Sequence, residues 1–298
     1  MSAFNRLLVT GLPAVPKPIV GRVASRYVAG EELADAVRVI RDLNQQGAMA
    51  TVDVLGEEVS ERGKATAAVE EYLRAFEAID REKLDCNVSI KLTMLGLKID
   101  EGFCRDNVAR IVEAAKRIDN FVRIDMEDHT TTDATIRIYR ELHARYGNLG
   151  VVLQAYMRRT LRDIEELPPG ASVRLCKGIY VEPRRVAWKG YETVRHNYVQ
   201  ALDKLLTQGV YVGIATHDEY LTCAASALID KHGLTRDRYE FQMLLGVDEE
   251  LRRILIESGH RLRVYVPYGR DWYPYSIRRL RENPEVARYV LKAMMSGK

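Results

Sequence analysis

Near the carboxyl end of this 298-residue chain, the stretch YVPYGRDWYPYSIRRLREN places Tyr275, Arg278, Arg279 and Glu282 at i, i+3, i+4 and i+7. A helix across 273–283 would carry all four on one face. Two adjacent guanidinium groups can hold a carboxylate or phosphate in bidentate geometry, which an ammonium cannot do. The same residues could instead lie on an exposed helix, with an Arg278–Glu282 pair worth only a few tenths of a kcal/mol. Other polar groups punctuate the ends of short apolar runs: Lys91, Asp125, Gln154, Arg174 leading into Lys177-Gly178, Thr216-His217, Gln242 and Tyr265. Each alone has an ordinary explanation; Asp125 could cap a following helix, and His217 beside Asp218 could be a satisfied half-buried histidine. Converging on one face, they would form a site for a small anion. Asp125, Glu127, His129 and His217 lack HExxH or comparable spacing, so no metal is expected.

Those groups need a scaffold that brings run ends together. Strand-like runs fall at 50–54, 87–92, 121–126, 150–155, 172–176, 211–216, 238–243 and 262–266. Between them, apolar residues recur at helical spacing: Val69, Tyr72, Leu73 and Phe76; Val108, Ile111, Val112 and Ala115; Ile136, Tyr139 and Leu142; Leu251, Ile254 and Leu255. Eight strands alternating with helices predict a (β/α)8 barrel, whose chemistry sits at the carboxyl ends of the strands. A doubly wound sheet would announce itself with a glycine-rich turn, and neither GxGxxG nor a Walker A sequence occurs. Residues 1–45, with a helical stretch from Glu31 to Asn44, are expected to form an arm packed on a barrel comprising 46–298.

Composition bounds the alternatives. With 47% hydrophobic and 29% charged residues the chain is globular rather than disordered. The amino-terminal stretch lacks a signal-peptide pattern, which predicts a cytoplasmic protein. Four scattered cysteines fit no metal spacing and are expected to be buried and reduced. The net charge is +3, yet residues 251–298 hold 11 Lys+Arg against 4 Asp+Glu. That basic segment could face an anionic surface or ligand, but no nucleic-acid motif accompanies it, and nucleic acid is not expected as a partner.

The stretches SIKLT (89–93), RIDMED (123–128), VVLQAY (151–156), RLCKGIYVEP (174–183), ATHD (215–218), EFQMLLG (240–246) and YVPYG with Y..RRLREN (265–283) resemble, in order, those of the proline dehydrogenase family. The resemblance implies a distorted barrel with its last helix over the strand ends. It also implies FAD-dependent oxidation of L-proline to Δ1-pyrroline-5-carboxylate, with electrons passed to a membrane quinone. The basic carboxyl-terminal segment would then be a candidate for peripheral membrane contact. By motif, Lys91, Arg278 and Arg279 would take the proline carboxylate, with Glu282 behind the arginines and Asp125 near the amine. Tyr180, Leu244, Tyr265 and Tyr275 would wall the ring. Gln154 and Arg174 would contact the isoalloxazine, Arg174 near N5, and Lys177, Gly178, Thr216 and His217 would complete the FAD site. Glu57, in LGEE after the first strand, would be a gate residue. Cys176, Ile179 and Val181 depart from residues common in relatives.

Two other readings remain on sequence grounds. Lys91 or Lys177 could be a Schiff-base amine in a barrel enzyme, leaving the arginine pair to hold a phosphate. Alternatively the barrel could be a binding scaffold without cofactor.

Overall fold

The computed structural model describes residue 21, residues 25–273 and residues 275–277. Eight parallel strands close into one barrel in sequence order: β1 (Met49–Val54), β2 (Cys86–Ile90), β3 (Val122–Ile124), β4 (Leu149–Gln154), β5 (Ser172–Cys176), β6 (Tyr211–Ala215), β7 (Tyr239–Leu244) and β8 (Leu262–Tyr268). The closing pair aligns Thr51 with Tyr265 and Val52 with Val266. All eight strands fall within about two residues of the apolar runs that predict them, as local pattern alone allows. Around the barrel lie α1 (Leu33–Gln45), α2 (Arg62–Glu82), α3 (Glu101–Arg117), α4 (Thr132–Tyr146), α5 (Thr160–Glu165), α6 (Tyr191–Thr207), α7 (Glu219–Lys231) and α8 (Glu249–Glu257).

Strand residues alternate faces, and here the alternation sorts by polarity. One set packs outward in the core shared with the helices: Val52, Val88, Ile90, Val122, Ile124, Val151, Leu153, Val173, Leu175, Val212, Ile214, Phe241, Val264 and Val266. The intervening positions include Asp53, Ser89, Arg123, Gln154, Arg174, Glu240, Gln242, Arg263 and Tyr265, beside a smaller number of apolar residues such as Val152, Ala215 and Leu244. Arg174 on β5 reaches Ser89 on β2 at 3.1 Å and Gln242 on β7 at 2.5 Å, contacts that cross the barrel interior. Branched aliphatics dominate the interior of most such barrels; this one is filled largely with polar and charged groups.

The helices cover the apolar outer face. In α2, Ala65, Ala68, Val69, Tyr72, Ala75, Phe76 and Ile79 are buried at helical spacing. In α1, Ala36, Ile40 and Leu43 join the same core, and α1 lies against β8 and β1. Helix α8 departs from the sequence expectation: Leu255 is buried, but Ile254 is exposed. In a nine-residue helix the Leu251–Leu255 pair suffices to meet the barrel, and Ile254 falls on the flank. The cysteine expectation also needs correcting. Cys86 and Cys104 are buried, but Cys176 is only half-buried and Cys223 is exposed. Among the described residues no helix is long and apolar enough to cross a membrane.

Candidate active site

A cavity of about 780 Å³ opens at the carboxyl ends of the strands. It brings together thirteen of the sixteen sequence-predicted site residues: Glu57, Lys91, Asp125, Gln154, Arg174, Lys177, Gly178, Tyr180, Thr216, His217, Leu244, Tyr265 and Tyr275. Arg278, Arg279 and Glu282 lie outside the described residues. Tyr275 belongs to a small cluster with Tyr27, Val28, Leu55 and Ile277 at the cavity's edge. Tyr27, from the segment before α1, also lines the cavity; nothing in its local sequence signals this, because the contact is made entirely by tertiary packing.

One end of the cavity is a charged set on β1, β5 and β8 and just past the ends of β2 and β3. The Lys91 ammonium lies 2.6 and 2.7 Å from the two oxygens of the fully buried Asp53. It also reaches Tyr265 OH at 3.2 Å and Asp125 Oδ2 at 3.7 Å. Burial alone would lower the Lys91 ammonium, but Asp53 and Asp125 outweigh it and hold the group protonated. Burial pushes the Asp53 carboxyl up, against the pull of Lys91; the paired bonds to Nζ match the ionised form of both. Asp125 accepts from Tyr265 OH (2.8 Å), Ser89 Oγ (2.9 Å) and Arg174 Nη1 (2.7 Å). Asp53, like Tyr27, is a residue that sequence reasoning missed. It changes the role of Lys91, whose charge is already balanced from within the barrel. The arrangement also argues against an amine nucleophile, which must be free of its proton. Lys177, the other candidate, is ion-paired to Asp218 at 3.1 Å.

The other end is built by β4 to β7. Gln154 donates Nε2 to the Glu127 carbonyl at 2.8 Å, leaving its side-chain oxygen as an acceptor. His217 accepts the Leu244 backbone N–H on Nε2 at 2.8 Å, which puts the proton of the neutral ring on Nδ1. Thr216 Oγ1 accepts from Asp218 N. Gly178 has φ +105°, and a Cβ there would lie 2.3 Å from the Tyr156 ring, so both conformation and close approach require glycine. At the rim, Asp218 gathers Lys177, Arg195 (2.8 and 3.0 Å) and Tyr191 OH (2.9 Å). Burial would raise the Asp218 carboxyl, but bonds from Arg195, Lys177 and Tyr191 hold it well below the usual range. Val152, Ala215, Met243 and Leu244 supply apolar wall. The donors suit ring acceptors and phosphate oxygens, and the volume is that of a ligand pocket. A flavin dinucleotide therefore fits the residues present.

Residues 36–291 match the family described as Proline dehydrogenase. Proline dehydrogenase 2 of Bacillus subtilis is 37% identical over 272 residues, covering 91% of this chain and 90% of that protein. The proline dehydrogenase of Deinococcus radiodurans is 36% identical over 283 residues, covering 92% and 91%. Among solved structures, proline utilization A from Bdellovibrio bacteriovorus, inactivated by N-propargylglycine, shares the fold with a TM-score of 0.82 at 23% identity. That alignment covers 88% of this chain and 32% of that one. Family match and full-length relatives agree: this chain belongs to the proline dehydrogenase family.

Proposed function

We propose that the protein oxidises L-proline to Δ1-pyrroline-5-carboxylate, a first step of proline catabolism, with FAD as cofactor and a quinone as final electron acceptor. The observation that carries this reading is the single cavity joining a charged end to a donor-lined, partly apolar end. When bound, FAD would supply the two-electron oxidant, with N5 as the acceptor for hydride from proline C5. Gln154, Arg174, Lys177, Gly178, Thr216 and His217 would hold it. Arg174 Nη2 makes no hydrogen bond among the described residues, although Nη1 and Nε are committed. It is thus a donor left over in a side chain that lines the cavity.

The chain's own residues bind and orient the substrate. Lys91 and Arg174 bring two positive charges, and Asp53 and Asp125 two negative ones, so this set is electrically balanced. A bound carboxylate therefore needs further cations, the role proposed for Arg278 and Arg279 with Glu282 behind them. Tyr180, Leu244, Tyr265 and Tyr275 would confine the ring, and Glu57 would close over it as a gate. Hydride loss requires the neutral amine. The cationic clamp favours departure of the proton from the proline nitrogen, and Asp125 sets the local charge balance. A membrane quinone would draw the protein to a lipid surface; activity with a soluble quinone that ignores salt and lipid would oppose that part.

The test is the visible spectrum of purified protein, before and after L-proline is added without oxygen. A band near about 450 nm that bleaches with proline is expected. A colourless protein that stays so after FAD is supplied would overturn the reading.

A further inference from the structure

Beneath the cavity lies a polar layer that no step above uses. Glu240, buried on β7, accepts four bonds. Its Oε1 takes Arg263 Nε (2.8 Å) and Gln242 Nε2 (2.6 Å), and its Oε2 takes Arg263 Nη2 (3.2 Å) and Tyr211 OH (2.9 Å). Gln242, two residues along the same strand, turns its other end upward, where Oε1 accepts Arg174 Nε at 2.5 Å. A carboxylate only accepts and a guanidinium only donates, so one amide orientation alone satisfies both neighbours. The charge below therefore dictates which end of Gln242 meets Arg174. A second observation marks the amide's place: at Gly213 on β6, an added Cβ would lie 2.3 Å from Gln242 Nε2 and 2.8 Å from its Cδ. The barrel keeps that position empty of side chain, and the amide lies there.

We propose that Glu240 is a positioning residue for the oxidation. Acting through Gln242, it holds the Arg174 guanidinium in the orientation that leaves Nη2 for the cofactor. This rests on the proposed function, in which Arg174 meets the flavin. The alternative, a plain electrostatic effect of Glu240, has the opposite sign. Removing a negative charge through space makes flavin reduction easier. Losing the relay frees the amide to turn its NH2 toward Arg174, displaces a donor from the flavin and makes reduction harder.

The experiment is the two-electron midpoint potential of the FAD-loaded holoenzyme, measured for wild type, Arg174→Met, Glu240→Gln, Gln242→Met and the Glu240→Gln/Gln242→Met double variant. Glu240→Gln and Gln242→Met should each lower the potential in the same direction as Arg174→Met, by about tenfold in the reduction equilibrium, or about 30 mV. The double variant should fall no further than Gln242→Met, because both act on one contact. Turnover number should drop while KM for proline holds, since the carboxylate clamp is untouched. A raised potential in Glu240→Gln, or additive shifts in the double variant, overturns the relay. If Glu240→Gln does not fold, Gln242→Met decides alone, and an unchanged potential there is fatal. An unchanged potential in Arg174→Met instead overturns the assignment of Arg174 to the flavin, and the relay with it.

Discussion

Toward the amino ends of the strands, the barrel interior holds Arg263, Glu240, Arg123 and Tyr211; toward the carboxyl ends it holds Lys91, Asp53, Asp125, Arg174 and Tyr265. Residue types are nearly the same, and so is burial. The lower layer is closed on itself. Glu240 has four donors, and Arg263 also donates to the Ala50 carbonyl at 2.6 Å. Its loose end is Arg123, whose Nε is buried without a partner among the described residues. Burial, with Arg174 adding to it, pushes that guanidinium down to about 9, and Arg123 does not line the cavity. The upper layer also pairs its charges, but it leaves Arg174 Nη2 and the Gln154 side-chain oxygen in a cavity wall. Buried charge alone is therefore a poor guide to a site in this barrel. Spare hydrogen-bonding capacity beside a void is the better one.

The largest expected effect separates the layers by what failure looks like. Lys91→Met leaves Asp53 buried and unpaired, a loss of about 3–5 kcal/mol in stability. The Asp53→Asn/Lys91→Met double variant should recover much of it, because both charges are then gone. Denaturant unfolding of the three proteins checks this. A Lys91→Met protein as stable as wild type would mean that the pair is not what holds the upper layer together.

Next in size is the carboxylate clamp. Because the upper layer is balanced, Arg279→Met should raise KM for L-proline by about 2–5 kcal/mol, some tens- to thousands-fold, with stability little changed. An unchanged KM would return the carboxylate to Lys91 and contradict the charge balance.

Much of this was legible in the sequence, and what was not has a definite cause. The strands show because their outward positions are apolar at period two and must meet helices. Thirteen cavity residues show because family motifs cluster at the carboxyl ends of those strands. Asp53 and Glu240 do not stand out in the sequence, since a polar residue within an alternating strand ordinarily faces water. In a closed parallel barrel neither face does, so Asp53, Arg123, Arg174 and Glu240 could only point inward; the signal was there once the barrel was assumed. Which inward groups pair is different. Arg174 meets Ser89, Asp125 and Gln242 from three other strands or their carboxyl ends, and no spacing encodes contacts 49 to 85 residues apart.

The smallest expected effect is a pH dependence that should distinguish the two layers by sign. In Glu240, burial would raise the carboxyl, but the Arg263 charge and the bonds from Arg263, Gln242 and Tyr211 bring it down to about 2 from an ordinary 4.5. A depressed acid contributes stability that is complete above its unfolded value and lost as pH falls toward its folded value. The stability gap between wild type and Glu240→Gln should therefore be constant from pH 7 to about 5 and shrink below that, by up to about 3 kcal/mol near pH 2. Lys91 is raised, so its contribution is complete below its ordinary value and lost only as pH rises above it. The gap between wild type and Lys91→Met should then show no Lys91-linked change from pH 5 to 8; a change in that window belongs to the Asp53 carboxyl, which burial raises further once Lys91 is gone. Urea unfolding at half-unit pH steps resolves both curves. A Glu240→Gln gap that stays constant down to pH 3 would show that Glu240 is not held as the anion on which the orientation of Gln242, and through it Arg174, depends.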